Sequence, residues 1–249
     1  MRRLSIIGIG AGNPDHITVQ ATKALSSIDV IFLIDKGDDK ESLAQLRKDI
    51  CARYIKNPSF RIVAAQDPER DRATADYESA VTAWHAERAA IYERMIREEL
   101  GETQHGAFLV WGDPSLYDST LRIVDRVAAM QTVGFELDVI PGITSVQALA
   151  ARHRVALNRI GEPVHITTGR QLAKGMAGDN VVVMLDGDCA FKSVKDGDVD
   201  IYWGAYIGTP DEILMSGTLR ECGPEIEKVR NEARTRHGWI MDTYLLRKN

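Results

Sequence analysis

Leu4-Ser5-Ile6-Ile7-Gly8-Ile9-Gly10-Ala11-Gly12-Asn13-Pro14 decides the fold. Leu4–Ile9 is a short, isoleucine-rich apolar run, which suits a strand buried on both faces. It breaks into three alternating glycines, residues that let a backbone turn tightly or approach another group closely. Thr18–Ser27 follows as a helix with Thr18 as its N-cap. Val30–Ile34, again apolar and β-branched, is a second buried parallel strand. A dinucleotide site wants glycines spaced G-x-G-x-x-G at the helix start. Here the third glycine comes too early and Asn13-Pro14 interrupts, so NAD or FAD is not expected. For this turn alone, the alternative is a tight strand exit packed against something else.

Outward from that stretch, strands and helices alternate. A charged region from Asp35 to about Leu100 holds helices near Lys40–Tyr54 and Tyr77–Glu99, with the polar loop Gln66–Arg72 between them. Ala107–Trp111 is a third strand, ending in Gly112-Asp113-Pro114. Leu116–Ala129 follows as a helix with Leu121, Val124, Val127 and Ala128 on one side. Phe135–Ile140 is another strand, closed by Pro141-Gly142, and Ile143–Ala151 restarts a helix. The tail shows strands at Val181–Leu185, Val199–Gly204 and Gly238–Leu246 and a helix at Glu225–Arg236. The pattern predicts an α/β protein of two domains. Residues 1–150 form a parallel-sheet α/β domain with a helical insertion at about 36–100, and residues 151–249 a smaller mixed-sheet α/β domain. The boundary falls near Arg152–Glu162.

The chain has 249 residues, 44% hydrophobic and 27% charged, enough for a sizeable core. A formal charge of −5 argues against a general nucleic-acid-binding surface. Cys51, Cys189 and Cys222 are odd in number and far apart, which predicts no disulfide framework and a reducing cytoplasm. The apolar run after Arg2-Arg3 is too short and glycine-broken for a signal peptide. No stretch approaches the ~20 apolar residues of a membrane span. The six histidines show no ligand spacing with the cysteines or with acid pairs, so no metal is expected.

Three short motifs stand at strand ends. Gly8–Gly12 with Ile17-Thr18 resembles the opening motif of the tetrapyrrole methylases. Gly112-Asp113-Pro114 with Tyr117 resembles their second motif, and Pro141-Gly142-Ile143-Thr144-Ser145 their third. The resemblance extends to Thr167-Thr168-Gly169-Arg170 and Met184-Leu185-Asp186, and so covers essentially the whole chain. It implies the tetrapyrrole-methylase fold, two α/β domains with the cofactor in the cleft between them. It also implies S-adenosylmethionine as methyl donor, S-adenosylhomocysteine as product, a tetrapyrrole (precorrin) substrate and a homodimer. Leu33–Gly37, the Gln66–Arg72 loop, Val110–Asp118, Met184–Asp188 and the long insertion resemble one branch, which acts in cobalamin biosynthesis. That branch methylates precorrin-5 at C1 and releases the extruded meso carbon as acetate, giving precorrin-6A. Other branches take other corrin or porphyrin positions, a diphthamide or rRNA. A non-catalytic tetrapyrrole carrier is a further alternative.

Methylation of an electron-rich ring carbon needs alignment more than acid–base help, and positioning of this kind is worth ~7–11 kcal/mol. The lack of a Ser-His-Asp or Cys-His arrangement fits that chemistry. By the resemblance, Ile9, Trp111, Gly112, Asp113, Leu116, Tyr117, Thr144, Ser145, Met184, Leu185, Tyr206 and Leu245 hold the cofactor. Asp113 has an ordinary alternative as a turn-capping residue. The substrate's carboxylates require cations. From Leu149 to Lys174 the chain carries five, against Glu162 alone; Arg152 and Arg170 are the choices, with Lys36 and Gly10 from the first domain. Acetate loss requires water to attack a carbonyl, for which a tuned base helps. The candidates are Asp113, His165, Asp186 and Asp188, with Tyr117 as donor. A structural histidine at 165, or activation by the substrate's own carboxylates, stays open.

Overall fold

The computed structural model describes residues 1–35, 41–69, 77–195 and 198–249. It divides into two compact units, one of Met1–Gly10 with Pro14–Ile143, the other of Ala11–Asn13 with Thr144–Asn249. The fold is α/β with one five-stranded sheet in each unit.

In the first unit the order is β1 (Arg2–Gly8), α1 (Val19–Leu25), β2 (Val30–Asp35), α2 (Glu41–Tyr54), β3 (Arg61–Gln66), α3 (Tyr77–Glu99), β4 (His105–Val110), α4 (Thr120–Met130) and β5 (Phe135–Ile140). The strands lie in the order β3-β2-β4-β1-β5, every pair parallel. Alternation along β1 divides its side chains between two cores. Leu4 and Ile6 pack with Tyr92 and Ile96 of α3 and Ile123 and Val127 of α4. Ile7 packs with Ala21 and Leu25 of α1 and Ile50 and Cys51 of α2. Both faces are therefore covered, which is why β1 reads as an apolar run interrupted only by Ser5, whose hydroxyl meets the His105 ring. The chain leaves β1 toward the face of α1 and leaves the neighbouring β4 toward the face of α4. That reversal makes the carboxyl ends of β1 and β4 a topological switch point, where open α/β sheets bind ligands.

Local chemistry sets the helix starts. Thr18 Oγ1 accepts from the Ala21 amide at 3.1 Å, the N-cap expected for α1. α4 begins at Thr120, four residues later than its apolar pattern suggests. Tyr117 is left-handed at φ 52°, and Asp118 Oδ1 accepts from the Thr120 amide at 2.6 Å, so a turn occupies residues 116–119. β3, which the sequence pattern did not reveal, is an edge strand largely open to solvent, with little apolar alternation to betray it.

The second unit runs α5 (Ser145–His153), β6 (His165–Thr168), α6 (Gly169–Leu172), β7 (Asn180–Met184), β8 (Val199–Ala205), β9 (Ile213–Thr218), α7 (Leu219–His237) and β10 (Asp242–Lys248). Its sheet order is β6-β7-β10-β8-β9, with β6 and β7 parallel and the other pairs antiparallel. The division falls after Ile143, whereas the sequence expectation set it at 150. α5 goes with the second sheet because Ser145 Oγ meets Thr243 Oγ1 of β10 at 3.0 Å. α7 starts at Leu219 and carries Pro224 inside it, so it is longer than the stretch expected after that proline. Ile226 and Ala233 of α7 close one core over Val181, Ile201, Trp203, Tyr244 and Leu246. Within that core lies a charged network. Asp242 Oδ2 accepts from Trp203 Nε1 and from Arg230 Nε, both at 2.9 Å, and Arg230 Nη2 donates to the Asp186 carbonyl at 2.6 Å.

Candidate functional site

In the first unit the three glycine motifs meet because they follow three adjacent strands, β4, β1 and β5. Gly10 and Gly112 form an antiparallel bridge, the Gly112 amide donating to the Gly10 carbonyl at 2.9 Å. A Cβ on Gly8 would stand 2.6 Å from the Gly142 nitrogen and 2.7 Å from the Gly112 oxygen, and one on Gly142 would run into that same oxygen. These glycines are fixed by backbone-to-backbone packing at the switch point, a requirement no side chain can meet.

Asp113 holds the second and third motifs together. Its Oδ1 accepts from the Ser115 amide at 2.8 Å and from the Ser115 hydroxyl at 2.5 Å, and its Oδ2 accepts from the Gly142 amide at 2.9 Å. Partial burial pushes its pKa up, but the Ser115 hydroxyl and the Gly142 and Ser115 amides outweigh that and hold it below the usual carboxylate value. A carboxylate so held is a poor proton acceptor near neutral pH and a good clamp. Beside it, Tyr117 is left-handed and 43% exposed, and burial of its remainder raises its pKa, so its hydroxyl stays protonated. Backbone held in such a conformation gathers at functional sites. Leu116 is half-buried and donates its amide to the Asp113 carbonyl at 3.2 Å. Ile9 is buried, with its amide on the Val110 carbonyl at 2.9 Å. Lys36 lies outside the described residues.

In the second unit, Thr168, Met184, Thr243 and Gly204 form one row across β6, β7, β10 and β8. Thr144 caps α5, accepting from the Val146 amide at 3.2 Å, and Gln147 Oε1 accepts from the Thr144 amide at 3.1 Å, a capping box. Ser145 follows and reaches that row through Thr243. Leu185, one step past Met184, is left-handed at φ 54° and 66% exposed, an apolar side chain offered to the outside by strained backbone. Leu245 lies further along β10, buried between Val182 and Tyr202. Tyr206 is also left-handed but buried, with its hydroxyl on the Trp239 carbonyl at 2.6 Å and its amide on the Met241 carbonyl at 3.0 Å.

One of the base candidates has other employment, and another stands apart from the Met184 row. Asp186 is 6% exposed; its Oδ1 accepts from the Asp188 amide at 3.0 Å, and its Oδ2 from the Ala190 amide and the Tyr244 hydroxyl, each at 2.7 Å. Two of these bonds shape the loop after β7 and the third ties the carboxylate to Tyr244 of β10. His165 opens β6, opposite Val181, whereas the Met184 row lies at the other end of the strand, about 10 Å away at 3.3 Å per residue. Arg152 is paired, its Nη2 2.5 Å from Glu212 Oε1, while Arg170 is exposed on α6 just past Thr168. Two residues that sequence reasoning missed belong to the first unit's site. Ser115 was detectable as the hydroxyl two places after an aspartate in a turn. Arg47, over the Trp111 ring, carries no local signal, being 64 residues away in the chain.

Comparison with known proteins gives a consistent result. Residues 3–223 match the family described as Tetrapyrrole (Corrin/Porphyrin) Methylases. The chain is 54% identical over 250 residues to a precorrin-6A synthase [deacetylating] of Sinorhizobium sp, covering 100% of this chain and 96% of the relative. Among solved structures, a cobalamin-synthesis-related protein of Corynebacterium diphtheriae (CobF) superposes with a TM-score of 0.87 at 42% identity, covering 100% of this chain and 99% of that one. A uroporphyrin-III C-methyltransferase of Thermus thermophilus, solved with S-adenosyl homocysteine, shares the fold at a TM-score of 0.62 and 16% identity, covering 98% and 91%. The chain therefore belongs to the tetrapyrrole methylase family.

Proposed function

We propose that this chain is an S-adenosylmethionine-dependent methyltransferase of cobalamin biosynthesis. It methylates precorrin-5 at C1 and releases the extruded two-carbon unit as acetate, giving precorrin-6A. The observation that carries this is the 54% identity, sustained over the full chain, to a precorrin-6A synthase of the deacetylating type. Features of each unit support such a cofactor: in the first, glycine backbone at the switch point and the left-handed, exposed Tyr117; in the second, the left-handed, exposed Leu185 just past β7.

S-adenosylmethionine, when bound, supplies a methyl group on a sulfonium, so the protein needs no nucleophile of its own. In the first unit Ile9, Trp111, Gly112, Asp113, Leu116 and Tyr117 form its side of the cofactor set. Asp113 acts there by fixing Gly142 rather than by moving a proton. In the second unit Thr144, Ser145, Met184 and Leu185 do so, with Tyr206 and Leu245 as apolar backing. Gly10 and Arg170 are assigned to the substrate. Acetate loss requires water to add to the acetyl carbonyl, the carbon–carbon bond to the ring to break, and its electron pair to stay in the macrocycle. The protonated Tyr117 is the donor for that step. Three free cysteines support a reducing cytoplasm, and the habit of the family supports a homodimer.

The test is anaerobic turnover of enzymatically generated precorrin-5 with S-adenosylmethionine, read by mass spectrometry and an acetate assay. Gain of one methyl with release of one acetate is the expected result. S-adenosylhomocysteine formed without acetate would reassign the ring position, and no turnover of competent substrate would refute the reading.

A further inference from the structure

Tyr117 stands in the left-handed region at φ 52°, a strained conformation for a residue with a side chain, which persists only where its surroundings fix it. On its amino-terminal side the anchor is Asp113, whose Oδ1 accepts from the Ser115 amide at 2.8 Å and whose carbonyl accepts from the Leu116 amide at 3.2 Å. On its carboxyl-terminal side the anchor is Ser119. A serine just before a helix ordinarily turns its hydroxyl onto that helix's own amides. Ser119 caps none of them: its Oγ meets His85 Nε2 at 3.0 Å, and Asp118 Oδ1 accepts from the Thr120 amide at 2.6 Å. The hydroxyl is thus committed to α3, 34 residues earlier in the chain, rather than to α4.

His85 is a fixed point for that bond. It is buried on α3, and the turns that follow it are tied down at several places. Arg88, also buried, grips Asp67 just past β3, with Nε on Oδ1 at 2.7 Å and Nη2 on Oδ2 at 2.8 Å. Its guanidinium carbon lies 4.2 Å from the centroid of the Trp84 ring, and Trp84 Nε1 donates to the Pro68 carbonyl at 3.1 Å. Tyr92, one turn beyond Arg88, stacks on Phe108 of β4 with ring centroids 4.2 Å apart. Residues three and four apart share a helix face, so 85, 88 and 92 form one stripe. That stripe joins the loop after β3, the strand β4 and, through Ser119, the turn that follows β4.

We propose that His85 and Ser119 are positioning residues for acetate release: their hydrogen bond holds the 116–119 turn so that Tyr117 presents its hydroxyl to the acetyl group of the substrate. This role rests on the methyltransferase reading, in which Tyr117 is the donor for that step. Water bonds to the acetyl carbon, the bond from that carbon to the ring breaks, and its electron pair stays in the macrocycle. Acetate leaves, and both protons of the water pass to solvent. Tyr117 lends a hydrogen bond to the acetyl oxygen as charge gathers there and keeps its own proton. Such a donor works from a preset position. His85 and Ser119 act through it.

The experiment is a double-mutant cycle on the rate of acetate release from precorrin-5, using full-length wild type, Y117F, S119A and Y117F/S119A. Y117F is expected to slow release about a hundredfold or more, and S119A, which misplaces the donor, about tenfold or more. The double variant is expected to be no slower than Y117F, because residues acting as one unit do not add. S119T keeps the hydroxyl and restores the loss, and H85L matches S119A. An S119A rate within about twofold of wild type overturns the proposal. So do losses that multiply in the double variant, as those of a residue that only supports the fold would. If S119A does not fold, S119C, close in shape and weaker in hydrogen bonding, replaces it in the cycle. A second measurement needs no substrate. In protein labelled with 3-fluorotyrosine, Y117F identifies the Tyr117 fluorine resonance; S119A is expected to shift it and S119T to return it. An unmoved resonance in S119A overturns the positioning role whatever the turnover. A wild type that releases no acetate sinks the proposed function, and the fluorine shift then decides whether His85 and Ser119 hold Tyr117.

Discussion

Gly8→Ala tests whether the three motifs are locked to one another by backbone contact. The added Cβ would lie 2.6 Å from the Gly142 nitrogen and 2.7 Å from the Gly112 oxygen, where ordinary contact starts at 3.4 Å. The shortfall is 0.8 Å on the β5 side and 0.7 Å on the β4 side. Both obstacles are backbone, so no rotamer change relieves them. Opening the loops by that amount stretches the Asp113–Gly142 bond from 2.9 Å beyond hydrogen-bonding range. Overpacking costs about 1–3 kcal/mol and a hydrogen bond to a charged group contributes about 1.5–3. The expected loss is therefore roughly 3–5 kcal/mol, a large share of the ~5–15 kcal/mol typical of a fold. At about 2–4 °C per kcal/mol for a chain of this size, Tm falls by roughly 6–20 °C. Differential scanning calorimetry reads the shift. Gly134→Ala, at a position where nothing lies within 4 Å, is the control and is expected to stay within about 0.5 kcal/mol of wild type. A Gly8→Ala protein that melts within 2 °C or so of wild type would show that the strand ends yield freely, and the lock would be refuted.

Three further outcomes are expected. Arg230→Met leaves Asp242, 5% exposed at its side chain, as a buried charge without its cation, at a cost of about 3–5 kcal/mol in a denaturant titration; a loss under 1 kcal/mol would mean the pair is not what holds that core. Thr18→Ala removes the cap of α1 and costs about 1 kcal/mol, while Thr18→Ser restores most of it. His105 carries a pH dependence. Its ring meets Ser5 Oγ at 2.8 Å and Ser27 Oγ at 3.1 Å, and burial first, then Arg3, lower its pKa against the pull of Asp29 and Asp138. The unfolded imidazole thus takes up its proton near 6.5 while the folded one still resists. Its contribution is full above that pH and is lost as pH falls from there through the folded-state value. Melting curves of His105→Gln should show a flatter slope below pH 6.5 than wild type, and identical slopes would contradict the assignment.

The first unit was legible in the sequence where a strand carries an apolar run or a clear alternation. Leu4–Ile9, buried on both faces, announces itself by composition. Phe135–Ile140 does so by alternating Phe135, Leu137 and Val139 with charged residues, and β5 has the expected bounds although it is a largely exposed edge strand. β3 and β9 did not, because neither has a fully buried residue and nothing obliges such a strand to keep a clear apolar pattern. Turn chemistry defeated the periodic reading at Leu116–Ser119, where Asp113 and Asp118 hold the chain out of the helix. The glycine motifs were visible, but their reason was not: Gly142 meets Asp113 across 29 residues, and pairing at that range leaves no local trace. His165 looked suitable by residue type, yet sequence does not say which end of a four-residue strand faces the Met184 row.

The second unit is not a continuous stretch of gene. Ala11–Asn13 pack with it, and a Cβ on Gly12 would stand 2.5 Å from the Ile207 oxygen, while one on Gly208 would stand 2.7 Å from the Asn13 nitrogen. A chimera that joins two relatives at residue 143 would pass on all of that unit except these three residues. The 207–209 loop would then be matched to another parent's glycines, so a successful graft has to bring residues 11–13 with the carboxyl-terminal half.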